Sequence, residues 1–417
     1  MAKLLIQGGR RLDGDIDIEC SKNTILPVLA ASVLNAGETI ISNYSNYSDV
    51  TSLTEILTSI GCKISISNRA ITIDSSNLIS TEIPDGLSAE MRSSVMFMGP
   101  MLARLGKVTI GYPGGCEIGP RPIDLHLKGL KQLGAVIEDT ICGYVECKAD
   151  NLVGTNIDLD FPSVGATENI MMCAVLAKGI TCISNAAKEP EIVDLQNFLN
   201  KMGAKIHGAG SSKIFIEGVF KLNNVEYKVI PDRIVAGTYM CAAAMTGGNI
   251  CLNNIIPEHL ESVTSNLVKT GCDITVNRNN LIIKGPKKLM PIEVVRTLPY
   301  PGFPTDMQAQ MVALLTMAEG TSIIIETIFE SRYKHVDELI KMGANIRLDG
   351  RVAVIKGKNK LIGSDVNVRD LRGGASLILA GLVAEGKTCI SDIEHIDRGY
   401  ENIEKKLSLL GANISRY

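Results

Sequence analysis

Basic residues stand at a fixed distance before a set of glycines in this 417-residue chain. Each glycine follows a stretch rich in alanine, methionine and leucine, which is typical of a helix, so the basic residue falls where that helix begins. A helix start carries unpaired N–H groups and partial positive charge, which disfavours a cation unless an anion binds there. The pattern therefore indicates cations that face a substrate with more than one anionic group. They are Lys22, Arg92, Arg233 and Arg372, with Gly165 and Asp306 at the two remaining positions.

Two more arginines, Arg332 and Arg398, are predicted to begin the second helix of the last two segments of this kind. The planar guanidinium group suits bidentate capture of a carboxylate or a phosphate. The alternative is that these arginines pair with nearby acids such as Asp370 and Asp397 in solvated salt bridges. Repetition at one register favours the binding interpretation for the set.

One of the eleven cysteines lies in an unusual setting. Residues 112–121 read Tyr-Pro-Gly-Gly-Cys-Glu-Ile-Gly-Pro-Arg, a composition that excludes regular secondary structure and lengthens this segment relative to the others. Cys116 is therefore expected on an exposed loop beside Arg121, whose charge favours the reactive thiolate. The alternative is a surface thiol without a function. Most of the other cysteines are expected to be small buried residues in a reducing cytosol.

Asp306 is the single acid at the helix-start register. Among arginines a carboxylate stays ionised, which suits a general base that removes a proton from a hydroxyl. Aspartate is also a favoured residue for capping a helix start. The sequence leaves both roles open.

These residues are positioned by a repeat of about 70 residues, which two independent glycine markers share. Apolar periodicity predicts the same α/β unit six times, in the order helix, strand, helix, strand, strand. The sixth unit ends one strand short, and Leu4–Gly8 resembles the missing strand.

Six units divide most simply into two domains of three. Domain one is predicted at 22–230, with the cysteine loop 112–121, and domain two at 1–21 plus 231–417. An active-site cleft is expected between the two domains. A repeat array that only binds ligands is the alternative that the architecture alone leaves open.

Composition excludes several functional classes. A net charge of −3 argues against a general polyanion binder, and 4% aromatic residues without tryptophan provide few stacking platforms for nucleic acid. With 45% hydrophobic and 21% charged residues, the chain is expected to form folded domains. There is no P-loop or complete dinucleotide fingerprint, the five histidines lack metal-type spacing, and no apolar run has the length of a membrane span. A cytoplasmic protein is expected.

Six motifs, none diagnostic alone, follow one another along the whole chain in the order typical of one family. Together they resemble the UDP-N-acetylglucosamine 1-carboxyvinyltransferases of the enolpyruvyl transferase family. The motifs are Ser21-Lys22-Asn23, Met91-Arg92-Ser93, Pro113-Gly-Gly-Cys116 through Arg121-Pro-Ile-Asp124-Leu-His126, Pro301-Gly-Phe-Pro-Thr-Asp306, Asp370-Leu-Arg372 and His395-Ile-Asp-Arg398-Gly-Tyr400.

The resemblance implies an activity and a fold. The activity is transfer of the enolpyruvyl group of phosphoenolpyruvate to the 3′-hydroxyl of UDP-N-acetylglucosamine, with release of phosphate, as the committed step of peptidoglycan precursor synthesis. The fold is two inside-out α/β barrels, or prisms, of three units each. Members of this family use no metal or organic cofactor, so none is expected. The resemblance gives no oligomeric state.

Residue roles follow from the same resemblance. Lys22, Asn23, Arg121 and Arg398 would bind phosphoenolpyruvate, and Asp306 would accept the hydroxyl proton. Cys116 would be the proton donor and the thiol that phosphoenolpyruvate and fosfomycin modify. The UDP-sugar would contact Arg92, Arg121, Pro122, Ile123, Asp124, Leu125, Ser163, Val164, Asp306 and Ile328, with Arg332, Asp370 and Arg372 in support.

Two other assignments compete with this one. A 5-enolpyruvylshikimate-3-phosphate synthase would share the fold and the chemistry, although a cysteine in the 112–121 loop belongs to the UDP-sugar branch. A paralogue without activity could instead serve binding or regulation, although Lys22, Cys116, Asp306 and Arg398 are all retained. Phe161 stands where some members have lysine, which affects how the nucleotide would be held at that point.

Overall fold

The computed structural model describes residues 2–417 except 113, 115–117, 120, 121, 140–142 and 359, and it describes their side chains except those of residues 89 and 90. The described chain forms two compact units. The first unit spans residues 20–230, and the second contains the residues up to Glu19 and from Pro231 onward, together with Ile118 and Gly119.

These boundaries differ from the expected ones at two places. Residues 20 and 21 belong to the first unit, where Ser21 N donates a hydrogen bond to Ile230 O (2.8 Å). Ile118 and Gly119 group with the second unit, because Ser331 N donates to Ile118 O (3.0 Å), whereas the sequence placed the whole 112–121 loop in domain one.

The chain begins with two short strands of the second unit, β1 (Leu4–Gln7) and β2 (Asp13–Asp17). Three modules of the first unit follow, with 3-10 turns at Ser32–Leu34 and Arg92–Phe97. Their elements are α1 (Lys22–Ala31), β3 (Glu38–Ser42), α2 (Ser48–Ser59), β4 (Lys63–Ser67), β5 (Ala70–Asp74), α3 (Asp85–Glu90), α4 (Met98–Leu105), β6 (Lys107–Gly111), α5 (Asp124–Gln132), β7 (Val136–Asp139), β8 (Tyr144–Lys148), β9 (Asn156–Asp158), α6 (Val164–Ala174), β10 (Ile180–Ser184), α7 (Pro190–Lys201), β11 (Lys205–His207), β12 (Lys213–Glu217) and β13 (Val225–Lys228).

The second unit repeats the plan, with 3-10 turns at Pro257–Leu260 and Thr305–Met307. Its elements are α8 (Arg233–Thr246), β14 (Asn249–Asn253), α9 (Glu261–Lys269), β15 (Asp273–Asn277), β16 (Asn280–Lys284), β17 (Val294–Arg296), α10 (Gln308–Leu315), β18 (Thr321–Ile325), α11 (Val336–Lys341), β19 (Asn345–Asp349), β20 (Val352–Lys356), β21 (Asp365–Asn367), α12 (Leu371–Val383), β22 (Lys387–Ser391), α13 (Glu394–Asp397), α14 (Ile403–Leu409) and β23 (Asn413–Arg416).

Each module has its own sheet, which confirms the sixfold repeat. The strand orders are β13-β3-β5-β4, β6-β8-β7, β11-β12-β10-β9, β15-β16-β14-β2, β17-β18-β20-β19 and β21-β22-β1-β23. β1 lies between β22 and β23 and is antiparallel to both, with Leu5 opposite Cys389 on one side and Ser415 on the other. The N-terminus therefore supplies the strand that the sixth unit lacks, as predicted.

The predicted unit omitted one strand. In five of the six sheets a short edge strand pairs in parallel with the strand that follows the first helix. In three of these sheets the edge strand comes directly before that helix, as β9 comes before α6 and pairs with β10. In the other two sheets it comes from a distant part of the chain, since β13 pairs with β3 and β2 pairs with β14. These edge strands have three to five residues, and four of them carry polar residues at alternate positions, as in Asn-Ile-Asp and Asp-Val-Asn, whereas β17 is Val-Val-Arg. Their apolar signal is too short for periodicity to detect.

The first helix of several modules is largely apolar and buried on every side, as is typical of a helix surrounded by protein. All residues from Ala166 to Ala174 in α6, from Ile234 to Met245 in α8 and from Arg372 to Leu382 in α12 are buried. In the second unit α8, α10 and α12 pack against one another. Each unit has its own hydrophobic core, with helices at the centre and sheets around them. The fold is therefore two inside-out α/β prisms.

Candidate active site

Lys22 is the first residue of α1, and its amine lies against a carboxylate. Lys22 Nζ is 3.0 Å from Asp49 Oδ2, and the two side chains are 11% and 6% exposed. Asp49 lies in the first turn of α2, so the ion pair joins the starts of two helices of one module. The first turn of α1 contains no acidic residue, so the helix start itself also favours an anion near Lys22.

The predicted UDP-sugar residues of the first unit begin three neighbouring elements. Arg92 opens a 3-10 turn, and its Nη2 donates a hydrogen bond to Pro122 O (3.4 Å), just before α5. Ser163 caps α6, where its Oγ accepts from Ala166 N (3.3 Å). Pro122 and Asp124 are exposed, Leu125, Ser163 and Val164 are half-buried, and Ile123 is buried.

Asn169 holds these three elements together from inside. Its Oδ1 accepts from Gly99 N (2.7 Å), and its Nδ2 donates to Val95 O (2.9 Å). The same Nδ2 lies 2.8 Å from His126 Nδ1. Because the amide nitrogen can only donate, Nδ1 accepts and the proton of a neutral His126 is on Nε2. A Cβ on Gly165 would lie 3.1 Å from His126 Cε1, so α5 meets the first turn of α6 closely.

In the second unit the structure brings together three of the predicted residues, Asp306, Arg332 and Arg372. Asp306 Oδ1 accepts from Arg332 Nη2 (2.6 Å), and Oδ2 accepts from Arg372 Nη2 (3.0 Å) and Nε (3.3 Å). The arginine side chains are 4% and 2% exposed, whereas the aspartate side chain is 26% exposed. Two buried cations therefore hold one accessible, ionised carboxylate.

A second shared contact fixes Arg372 from its other edge. Arg372 Nη1 donates to Tyr400 Oη (3.2 Å). Thr238 Oγ1 donates to Ile234 O (2.9 Å), so in the 2.8 Å contact between Tyr400 Oη and Thr238 Oγ1 the tyrosine is the donor. Gln310 Nε2 also donates to Thr238 Oγ1 (3.1 Å). Burial raises the pKa of Tyr400, which keeps it a neutral phenol. Burial alone would lower the pKa of Arg372, but the carboxylate of Asp306 and then Tyr400 outweigh it and raise that pKa.

Several expectations about helix starts are wrong. Arg332 lies in a turn four residues before α11, and Arg398 follows the last residue of α13, where a cation is favoured by the helix dipole. Asp306 is inside the Thr305–Met307 turn, and its carboxylate binds arginines, so it is not a helix cap. Asp370 is the cap instead: its Oδ1 accepts from Arg372 N (3.1 Å) and Gly373 N (2.9 Å) at the start of α12.

The sequence left open salt bridges from the arginines to Asp370 and Asp397. The structure instead pairs Arg332 and Arg372 with Asp306, and Asp397 with Arg416. Asp232 caps α8 beside Arg233, since its Oδ1 accepts from Ile234 N (2.8 Å) and Val235 N (2.9 Å), and its negative charge offsets the cation at that helix start.

The remaining predicted residues are placed as follows. Asn23 and Arg398 are half-buried. Ile328 follows β18, and its N–H donates to Glu326 Oε1 (2.7 Å). Cys116 and Arg121 lie outside the residues that the structure describes. Of the nine described cysteines six are buried, in line with the expectation for most of them.

A family model described as EPSP synthase (3-phosphoshikimate 1-carboxyvinyltransferase) matches residues 6–407. Among curated relatives, UDP-N-acetylglucosamine 1-carboxyvinyltransferase 2 of Caldanaerobacter subterraneus subsp. tengcongensis is 54% identical over 416 residues, with 100% of each chain covered. The enzyme of the same name from Clostridium tetani is 53% identical over 418 residues, again with 100% of both chains covered. The chain belongs to the enolpyruvyl transferase family.

Solved structures share the fold of this enolpyruvyl transferase. The enolpyruvyl transferase NikO from Streptomyces tendae has a TM-score of 0.89 at 24% identity and covers 100% of this chain and 99% of its own. An EPSP synthase from Acinetobacter baumannii has a TM-score of 0.78 at 20% identity, with 100% of both chains covered. At these identities the comparison establishes the two-prism fold alone.

Sequence reasoning missed several polar residues around the site of this enolpyruvyl transferase. Asp49, Asn169, Thr238 and Glu326 contact the predicted residues directly or hold their segments. A sequence marks such residues only as polar positions near apolar stretches, and their partners are distant in the chain.

In the described part of the chain, no group of three or more His, Cys, Asp or Glu residues could hold a metal ion. Likewise, no helix in the described ranges is long and apolar enough to cross a membrane.

Proposed function

We propose that this enolpyruvyl transferase moves the enolpyruvyl group of phosphoenolpyruvate to the 3′-hydroxyl of UDP-N-acetylglucosamine and releases phosphate. That reaction commits material to peptidoglycan precursors. The observation that carries the proposal is identity above 50% over the full length of carboxyvinyltransferases that are named for this acceptor. Both substrates are soluble anions, so we place the enzyme in the cytoplasm and expect no nucleic-acid partner.

Asp306 is the proposed base for the acceptor hydroxyl. Its side chain is 26% exposed, whereas the Arg332 and Arg372 side chains that bind it are buried, so a substrate can reach the carboxylate from the solvent side. As the hydroxyl loses its proton to Asp306, its oxygen attacks C2 of phosphoenolpyruvate. A proton reaches the methylene carbon, and the proposed donor is Cys116. Loss of phosphate from C2 and of a methyl proton then restores the double bond.

The basic residues of the site would stabilise the negative charge of the substrates during these reaction steps. Lys22, Asn23, Arg121 and Arg398 are the proposed contacts of the phosphate and carboxylate of phosphoenolpyruvate. The Lys22–Asp49 pair supports this role. The ion pair already holds the Lys22 ammonium group in position, so the group needs little reorganisation when negative charge develops on the substrate. We propose that the UDP-sugar contacts Arg92, Arg121, Pro122, Ile123, Asp124, Leu125, Ser163, Val164, Asp306 and Ile328. Asp370, Arg332 and Arg372 position Asp306 and α12.

Shikimate 3-phosphate is the competing acceptor, because the matching family model is described as EPSP synthase. The test is phosphate release measured with phosphoenolpyruvate and each acceptor separately. We expect release with UDP-N-acetylglucosamine and background release with shikimate 3-phosphate. The reverse pattern would overturn the proposed acceptor. Labelling by fosfomycin should occur in the wild type and be lost in Cys116→Ala.

A further inference from the structure

Glu326 is a buried carboxylate directly after β18, with 1% of its surface exposed. Oε1 accepts hydrogen bonds from Thr297 Oγ1 (2.9 Å), Ile328 N (2.7 Å) and Phe329 N (3.1 Å). Oε2 accepts one from Thr305 Oγ1 (2.9 Å). These four donors are neutral. Burying a carboxylate is costly, so an arrangement of this kind persists only where several hydrogen bonds offset the cost.

The four donors come from three separate segments. Thr297 follows β17, Thr305 opens the 3-10 turn that contains Asp306, and Ile328 lies in the loop after β18. Thr297 also links the segment after β17 to the loop after β18, because its Oγ1 accepts a hydrogen bond from Thr327 N (2.9 Å) and its carbonyl oxygen accepts one from Thr327 Oγ1 (2.5 Å). Glu326 therefore fixes the distance between the Asp306 turn and the Ile328 loop.

The Asp306 turn is held on two sides. Thr305 donates its hydroxyl proton to Glu326, while its carbonyl oxygen accepts from Arg332 Nη2 (3.4 Å), the nitrogen that also binds Asp306 Oδ1. On the other segment the single N–H of Ile328 is committed to Glu326, which leaves its carbonyl oxygen and side chain for a ligand.

We propose that Glu326 is a positioning residue for the acceptor half of the transfer reaction. It sets the proposed base, Asp306, relative to Ile328, the proposed acceptor contact, and so determines whether a bound acceptor presents its hydroxyl to the carboxylate. This inference rests on the proposed function. It predicts a loss in turnover larger than the loss in acceptor binding, because displacing a reacting group by about 1 Å can cost about 100-fold in rate.

The decisive variant is Thr305→Val, which keeps the volume of the side chain and breaks the link between Glu326 and the Asp306 turn. Thr305→Ser retains the hydroxyl and is the rescue variant. Thr316→Val is the matched control, since it removes a buried hydroxyl whose Oγ1 donates to Ala313 O (2.6 Å) just after α10, away from Glu326. All three variants are compared with the wild type in steady-state assays that vary the acceptor and phosphoenolpyruvate in turn.

We expect Thr305→Val to lower kcat by about 10-fold or more, with KM for phosphoenolpyruvate unchanged. Thr305→Ser and Thr316→Val should stay within about twofold of the wild type. The inference is overturned if Thr305→Val retains wild-type kcat, or if Thr305→Ser loses as much as Thr305→Val. The assay uses both candidate acceptors. If the wild type uses shikimate 3-phosphate instead, the proposal that UDP-N-acetylglucosamine is the acceptor is wrong. The comparison of Thr305→Val with Thr305→Ser then still tests the positioning role of Glu326, with shikimate 3-phosphate as the acceptor.

Discussion

Replacing Asp306 by asparagine removes a carboxylate that two buried arginines share. Arg332 and Arg372 are 4% and 2% exposed and lie 2.6 and 3.0 Å from its two oxygens. Asparagine keeps one carbonyl oxygen and turns an amide N–H₂ toward the other guanidinium group. Removing one partner of a buried ion pair costs about 3–5 kcal/mol. Because Arg372 keeps its hydrogen bond to Tyr400 and Asp306 is partly exposed, we expect about 2–3 kcal/mol here.

That cost is measurable as a shift of the unfolding transition. For a unit of about 200 residues, 1 kcal/mol corresponds to about 2–4 °C, so the Tm of the second unit should fall by roughly 5–10 °C. Calorimetry can separate this unit from the first, whose contacts are unchanged. The matched control is Asp397→Asn, because Asp397 binds Arg416 through two bonds of 2.6 and 2.9 Å at the surface. There the loss should be below about 1 kcal/mol.

Equal shifts for the two asparagine variants would refute the reasoning, since it depends on the burial of Arg332 and Arg372. The prediction also changes how activity is interpreted. A loss of turnover in Asp306→Asn at high temperature mixes partial unfolding with loss of the base. Turnover must therefore be compared well below the transition, where a fall in kcat at constant KM identifies the chemical role.

Two buried titratable groups predict pH-dependent stability. Burial, and then Glu191, raise the pKa of Glu168 in α6 well above 4.5, so the folded protein retains a proton that the unfolded chain releases, and stability falls as pH rises above that value. Glu168→Leu should therefore raise the Tm of the first unit more at pH 8 than at pH 5, and a pH-independent difference would contradict this. Burial lowers the pKa of His335 from 6.5 to about 4, so stability should be lost as pH falls through that interval. His335→Gln should flatten the Tm profile between pH 4 and 6.5, whereas an unchanged slope would assign the effect to other groups.

The repeat was predictable because each module reuses the same signals. The marker glycine that follows the first helix recurs for a physical reason: φ is 92° at both Gly179 and Gly386, a conformation that glycine adopts far more easily than other residues. Such signals are local, so the module order and the place of the N-terminal strand followed from spacing alone. The edge strands were not predicted, because they become strands by pairing with a neighbouring strand and not through their own composition.

The site was only partly predictable, because its contacts join distant residues. The register identified Lys22, Asp306 and Arg372 as a set, but not which acid meets which cation. Arg372 lies 66 residues from Asp306, and nothing in the sequence links the two residues as an ion pair. Asp370 caps the helix because its position before α12 places it beside two free amides. An aspartate can serve either as a helix cap or as an ion-pair partner, and tertiary packing determines which of the two roles it takes.

The sheet that contains β1 has a consequence for synthesis on the ribosome. β1 pairs with β23, and the backbones of Lys3 and Tyr417 exchange hydrogen bonds of 2.8 and 3.1 Å. β1 must therefore wait until β23 has been translated before the two can pair, whereas the first unit is contiguous and can fold as it emerges. A permuted gene that starts near Pro231 and joins the two old ends by a short linker would let each prism form in order of translation.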